Sequence, residues 1–265
     1  MSRSSNFSYK SSKSDPGCLP IPITRRTCST AAVKLYRYLR KLFNFNQMDF
    51  EFASWQMMYL FVNPHKVYRN FQYRNVTKSQ FARDDPAFLV LLAAVLFGSS
   101  IGFAMLLRLD MLGFLKFFLY FVLVDCIAIG IFISTCLWFI TNKYMVKQSW
   151  LGYNVEWGYA FDVHLNAFTP LVVISHMNLL FIHHIFGRGN QYLFIVRFLA
   201  NSAWLTATSF YIYITFLGYK YLPFLRGAES LLLLIVFAFF VYLIVMITGG
   251  NMNETMMDFY RYMIF

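Results

Sequence analysis

The chain has 265 residues, of which 58% are hydrophobic and only 13% charged, with a mean hydropathy of +0.51. That is more apolar surface than a water-soluble domain can bury, so a freely soluble globular fold is excluded and lipid must be part of the solvent. The formal charge of +11 is not a chain-wide nucleic-acid signature, because 14 of the 23 Lys and Arg residues precede residue 87.

Residues 1–30 are rich in Ser, Lys and Pro and poor in apolar side chains, which reads as a disordered tail and not as a cleaved signal peptide. Cys18 and Cys28 lie in this tail and Cys126 and Cys136 in an apolar run, so free thiols are expected rather than a disulfide framework. Acylation of Cys18 or Cys28 has no juxtamembrane context to support it.

Residues 31–86 read as a cytosolic region of amphipathic and interfacial helices. On a helix, Leu35, Leu39 and Leu42 share one face while Lys34, Arg37, Arg40 and Lys41 take the other. A basic amphipathic helix suits an anionic membrane surface, and it equally suits packing on the protein's own loops. The stretch 48–62, with Trp55 at its centre, is dense in aromatics and too short to span, so it reads as interfacial or re-entrant. The run 66–74, with Arg69 and Arg74, interleaves bases with aromatics as a single-strand RNA platform does. Just ahead of an apolar span, positive-inside charge with interfacial anchors is the simpler reading.

Five apolar runs, 87–107, 116–140, 164–186, 192–216 and 230–248, each approach the ~20 residues a helix needs to cross a bilayer. The fold class is therefore all-α, a polytopic bundle of five transmembrane helices, since unbroken apolar runs are not the alternating pattern of a barrel. Asp84-Asp85-Pro86 marks the start of the first span and Gly249-Gly250 the end of the last. Lys143, Lys147, Lys220 and Arg226 fall on the same side as the basic head, which puts the N-terminus in the cytosol and residues 249–265 across the membrane as a short luminal tail. Asn253-Glu254-Thr255 is then a luminal glycosylation sequon close to the bilayer, whereas Asn75-Val76-Thr77 faces the cytosol.

Polar residues inside the spans are costly and should face protein. Asp125, His176, Asn178, Arg197 and Asn201 all fall in the luminal half, so one polar cluster is geometrically allowed. Its functional reading is a proton, ion or small-solute pathway; its structural reading is interhelical hydrogen bonding with Arg197 snorkelling, and the structural one is favoured. Ala94, Gly98 and Gly102 recur every fourth residue and allow close helix approach, within the chain or in a homodimer. Glu156, Asp162 and His164 enter the third span as an interfacial cap; their spacing is not that of a metal site. No phosphate loop, nucleophile elbow or dinucleotide fingerprint occurs, so neither an enzyme nor a cofactor is expected.

Four strings carry a resemblance: Gln-Met-Asp-Phe-Glu-Phe-Ala at 47–53, Ala-Arg-Asp-Asp-Pro-Ala-Phe-Leu-Val at 82–90, Trp-Gly-Tyr-Ala-Phe-Asp-Val-His-Leu-Asn-Ala-Phe at 157–168 and Tyr-Ile-Tyr-Ile-Thr-Phe-Leu-Gly-Tyr at 211–219. With them the chain resembles the uncoordinated-fifty family from about Leu35 to Leu225. The resemblance implies five spans, a cytosolic N-terminus and residence in Golgi membranes. It further implies a role in vesicle traffic through large Arf guanine-nucleotide exchange factors, with receptor cargo such as nicotinic acetylcholine receptors; RNA binding is a further property ascribed to the family. It supplies no catalytic residues. The expected function is a scaffold or adaptor that binds rather than turns over, with the transporter and the membrane-anchored RNA binder as rivals.

Overall fold

The computed structural model describes residues 36, 38, 40–42, 44–70, 83, 85–148, 153–187 and 193–264. The tail 1–30, Lys34, Arg37, Arg74, Asp84 and the Asn75 sequon lie outside the described residues. What is described is helical, with no strand beyond a single bridge between Val146 and Leu225.

The first long helix, α1 (Phe50–Val62), starts where the Asp49 carboxylate accepts the Phe52 N–H and stops before Asn63-Pro64. Asn63 in turn caps a helical segment at 64–70 by accepting the Lys66 N–H, and Pro64 occupies its first turn. Helix α1 buries Ala53, Gln56 and Leu60 against α2 (Ala87–Leu107) and α4 (Trp157–Phe186). Asp85 ties the two helix starts together, since its carboxylate accepts from both Asp49 N–H and Ala87 N–H.

Helix α3 runs Met111–Met145, five residues longer at each end than the apolar run suggests. Asp110 is the reason at the start: its carboxylate accepts the Gly113 N–H, which makes Met111 and not Lys116 the first helical residue. The helix widens to π-type hydrogen bonding over Phe121–Ala128 and again over Thr141–Met145. Helix α4 likewise begins at Trp157, not His164, and carries Pro170 in its interior without breaking. It packs along most of its length against antiparallel α5 (Phe194–Lys220), and this pair is the centre of the bundle.

A 3-10 turn opens α6 (Ala228–Ile247), whose α-helical part, Leu233–Ile247, buries no residue and packs on α5. The chain then turns at Gly249-Gly250, and the segment expected as a short tail is an amphipathic helix, α7 (Met252–Ile264). It folds back on the bundle: Met257 and Tyr260 are buried, and the Tyr260 ring meets Phe103, Phe117 and Phe121 edge-on at 5.3–5.6 Å.

Four helices, α2, α3, α4 and α6, are long and apolar enough to cross a membrane, which makes this a multi-pass membrane protein. Helix α5 is long enough but does not join them on composition. Arg197, Asn201, Trp204 and a run of Thr and Tyr lower its hydropathy, and its second half is enclosed by protein, where apolarity is not required.

Candidate functional site

Segment 64–70, residues 146–148 and loop 221–227 share one end of the bundle, here the basic face. Two backbone hydrogen bonds join the loops, Arg226 N–H to Met145 O at 2.8 Å and Lys147 N–H to Phe224 O at 3.0 Å. Beside them lies an aromatic ladder on α1, with Phe52 stacked on Trp55 at 5.8 Å and Trp55 against Tyr59 at 4.5 Å. Lys66 covers its end, donating to Tyr59 Oη at 3.1 Å with its ammonium 4.2 Å from the Tyr59 ring. That contact lowers the Tyr59 phenol from its usual range. Arg40 and Arg69 are exposed and Lys41 is half-buried.

This segment is anchored to α4 and α5 by polar groups. Arg83 donates its backbone N–H to Asp162 Oδ2 at 2.6 Å and its guanidinium to Asn166 Oδ1, and that guanidinium lies 4.0 Å over the Phe88 ring. Asn166 Nδ2 reaches Tyr68 Oη at 3.4 Å, and Tyr68, fully buried, stacks on Tyr221 at 6.3 Å. Burial pushes the phenols of Tyr38 and Tyr68 well up, with Asp162 adding in the same direction. Room for this exists because Gly218 on α5 has no side chain: a Cβ there would come within 2.8 Å of Val163 and 3.4 Å of Tyr68.

The three residues read as an interfacial cap have separate places. Glu156 stands at the N-cap position of α4. Asp162 is only 6% exposed and receives the Arg83 amide, so it belongs to the anchoring of the N-terminal segment. His164 is buried between α3 and α5, with Nε2 3.2 Å from the Cys126 carbonyl and Nδ1 2.9 Å from Tyr211 Oη. A carbonyl only accepts, so the proton sits on Nε2 and the neutral ring accepts the Tyr211 hydroxyl at Nδ1. Gly130 lets the ring in, since a Cβ there would meet it at 2.6 Å.

At the opposite end, the polar residues of the spans divide. Asn178, Arg197 and Asn201 converge on the turn before α7. Asn201 donates to Gly250 O at 3.0 Å and accepts from Met252 N–H at 2.9 Å; Arg197 donates to Gly249 O at 2.8 Å. Asn178 donates to Asn253 Oδ1 at 2.9 Å, and Trp204 Nε1–H to the same oxygen at 2.8 Å. His176 instead contacts Ser99 Oγ at 3.1 Å among Phe103 and Phe121, and Asp125 lies in the first π stretch of α3, apart from the other four. Of the small-residue series, Gly102 packs on Leu180, whereas Ala94 and Gly98 face outward with open space at Gly98.

Sequence reading did not single out Arg83, Asn166, Tyr68, His65 or Asn253 as contacts. The available signal was the pair of glycines inside helical patterns, Gly130 and Gly218, which mark close approach. Among the described residues no three His, Cys, Asp or Glu side chains gather as a metal site.

The sequence model described as the UNC-50 family matches residues 38–261, which extends the similarity past Leu225 through α6 and most of α7. The chain is 51% identical over 236 residues to "Protein unc-50 homolog A" of Xenopus laevis, covering 89% of this chain and 90% of that one. To "Protein unc-50 homolog" of Homo sapiens it is 50% identical with the same coverage, and to that of Drosophila melanogaster 50% identical over 248 residues, 93% of this chain and 89% of the relative. No solved structure matches the chain.

Proposed function

The chain belongs to the UNC-50 family, and on that premise we propose that it is a Golgi membrane scaffold in vesicle traffic. In this reading α2 to α6 are five spans, the basic face is cytosolic and the end of α7 is luminal. The basic face recruits a large Arf guanine-nucleotide exchange factor, and the recruitment supports surface delivery of receptor cargo. Binding, not turnover, is the mechanism.

The observation that carries the reading is the anchoring of the N-terminal segment. A loose basic arm would bind any anion by charge alone, whereas α1 and 64–70 are held on the bundle by Tyr68, Arg83 and His65, which offers a partner a fixed surface. Orientation is supported by the distribution of cations. Among the described residues, Arg40, Lys41, Lys66, Arg69, Lys143, Lys147, Lys220 and Arg226 lie toward the basic face, against Arg108, Lys116, Arg197 and Arg261 toward the other end. Of the polar residues that motivated a transport pathway, Asn178, Arg197 and Asn201 bind the turn before α7 and His176 contacts Ser99.

The test is recruitment. Full-length chain with Arg40→Glu, Lys41→Glu and Arg69→Glu, expressed in cells lacking the native protein, should release an exchange factor of this class from Golgi membranes while itself remaining there. Unchanged membrane association of the exchange factor overturns the docking site.

A further inference from the structure

Three lysines lie across aromatic rings. Lys220 Nζ is 5.2 Å from the Phe216 ring, Lys143 Nζ is 5.2 Å from Phe139 and 5.3 Å from Tyr144, and Lys66 Nζ is 4.2 Å from Tyr59 and 5.4 Å from Trp55. Lys220 is the last residue of α5, and Lys143 lies in the closing π turn of α3. Both stand where a long helix leaves the bundle at its basic end. A lysine there covers ring surface with its stem and carries its ammonium to the headgroups.

Lys66 belongs to no span, yet its neighbour fixes it at the same level. His65 Nε2 lies 2.8 Å from Tyr213 Oη and its Nδ1 3.2 Å from Tyr221 Oη, and both rings meet the imidazole edge-on. Tyr213 is about two turns before the end of α5 and Tyr221 directly follows it. Segment 64–70 is therefore strapped alongside the last turns of α5, and α1, which leads directly into it, packs on α2 and α4. With Ala53, Gln56 and Leu60 turned to the bundle, the outer edge of α1 carries Met58 at 66% and Val62 at 79% exposure, one turn apart. Phe45, just before the helix, is 59% exposed.

We propose that α1 and 64–70 form an in-plane interfacial unit of the membrane. Met58 and Val62 enter the acyl chains of the leaflet on the basic face, and Lys66 and Arg69 hold the phosphates of its anionic phospholipids. Two things point to a leaflet as the occupant of this edge: the level at which His65 holds 64–70, beside the last turns of α5, and the exposed apolar pair Met58 and Val62 at the end of α1 remote from Asp49 and Glu51, next to Lys66 and Arg69. The inference goes beyond exchange-factor recruitment and stands whether or not that partner docks.

The experiment places a nitroxide at Met58→Cys, Val62→Cys or Arg226→Cys in the full-length chain with Cys18, Cys28 and Cys136 replaced by Ser. The protein is reconstituted into nanodiscs of phosphatidylcholine with or without phosphatidylserine. The ratio of oxygen to nickel-chelate collision should be several-fold higher at 58 and 62 than at 226. With phosphatidylserine present, Lys66→Glu with Arg69→Glu should lower the ratio at 62, and Lys66→Gln with Arg69→Gln should lower it less. Water-like ratios at both 58 and 62 in both lipids overturn the insertion. An unchanged ratio in the charge variants overturns the phosphate contacts. Neither result depends on exchange-factor binding, which is scored separately.

Discussion

Trp204 donates its indole N–H to the Asn253 carboxamide oxygen at 2.8 Å, and Asn253 is the residue whose amide nitrogen would carry the glycan of the sequon Asn253-Glu254-Thr255. Asn253 is fully buried, with Asn178 on the same oxygen. The amide nitrogen is enclosed along with the rest of the side chain, so no glycan fits there while α7 is docked. Chain purified from eukaryotic cells should keep its electrophoretic mobility on treatment with peptide N-glycosidase F; a shift to faster migration means that α7 does not dock as described.

Asn201 bridges both sides of the turn into α7, giving a proton to Gly250 O and taking one from Met252 N–H. Asn201→Ala leaves two backbone groups without partners in a part-buried site, at a cost of about 2–4 kcal/mol. Thermal unfolding in detergent should show a clear fall in midpoint, with residues of α7 cleaved by protease at lower temperature than the rest. Arg197→Met breaks only the bond to Gly249 O and should cost less. Equal midpoints for wild type and Asn201→Ala would remove Asn201 from this role.

How far the fold could be read from the sequence differs by element, for physical reasons. Helix α2 covers the very residues picked out by hydropathy, because a lipid-exposed helix has to be apolar over its whole length. The starts of α3 and α4 escape that measure: α3 begins where the non-helical Asp110 caps it, and the Trp157–Val163 stretch of α4 is polar or aromatic while still helical. Asp162 looked like an interfacial cap because an acid at a span entrance usually is one; its partner, Arg83, is 79 residues away and no local pattern reports it. The set Asn178, Arg197 and Asn201 was legible as facing protein, but what it faces is a turn made by residues 249–253, which hydropathy treats as the end of the protein's structured part.

Gly130 and Gly98 are both helical glycines with opposite surroundings. A Cβ at Gly130 meets the His164 ring at 2.6 Å, while Gly98 has nothing within 4 Å. Gly130→Ala should displace His164 from the Cys126 carbonyl and Tyr211 and destabilise the protein by about 1–3 kcal/mol. Gly98→Ala should be neutral or stabilising by up to ~1 kcal/mol, the gain in helix propensity. Unfolding midpoints of the two variants, measured side by side, decide it; a larger loss for Gly98→Ala would instead mark that position as a contact with a second chain.

Burial raises the Tyr68 phenol above its ordinary value near 10. The folded state holds this proton more tightly than the unfolded one, so the associated stability is complete below about pH 10 and declines as pH climbs above the unfolded value. Tyr68→Phe cannot ionise, and its alkaline unfolding midpoint should move to higher pH, read by near-ultraviolet circular dichroism. An identical alkaline midpoint means that Tyr68 is not what fails first.

Asp162 anchors the N-terminal segment through the Arg83 amide, and it is the nearest buried carboxylate to a guanidinium that lies over Phe88 and donates to Asn166. Asp162→Ala removes the charged acceptor of the Arg83 backbone N–H in a part-buried site, which costs about 1.5–3 kcal/mol. Asp162→Asn keeps the acceptor and loses only the charge, so it should fall between alanine and wild type. Because the bond joins Arg83 to α4 and not α4 to itself, the loss should be local first. Limited proteolysis should cut near residue 83 in Asp162→Ala while the α4–α5 pair stays intact, and exchange-factor recruitment should weaken in step with that cleavage. Cleavage that begins instead within α4 or α5 would mean that Asp162 supports the bundle and not the strap.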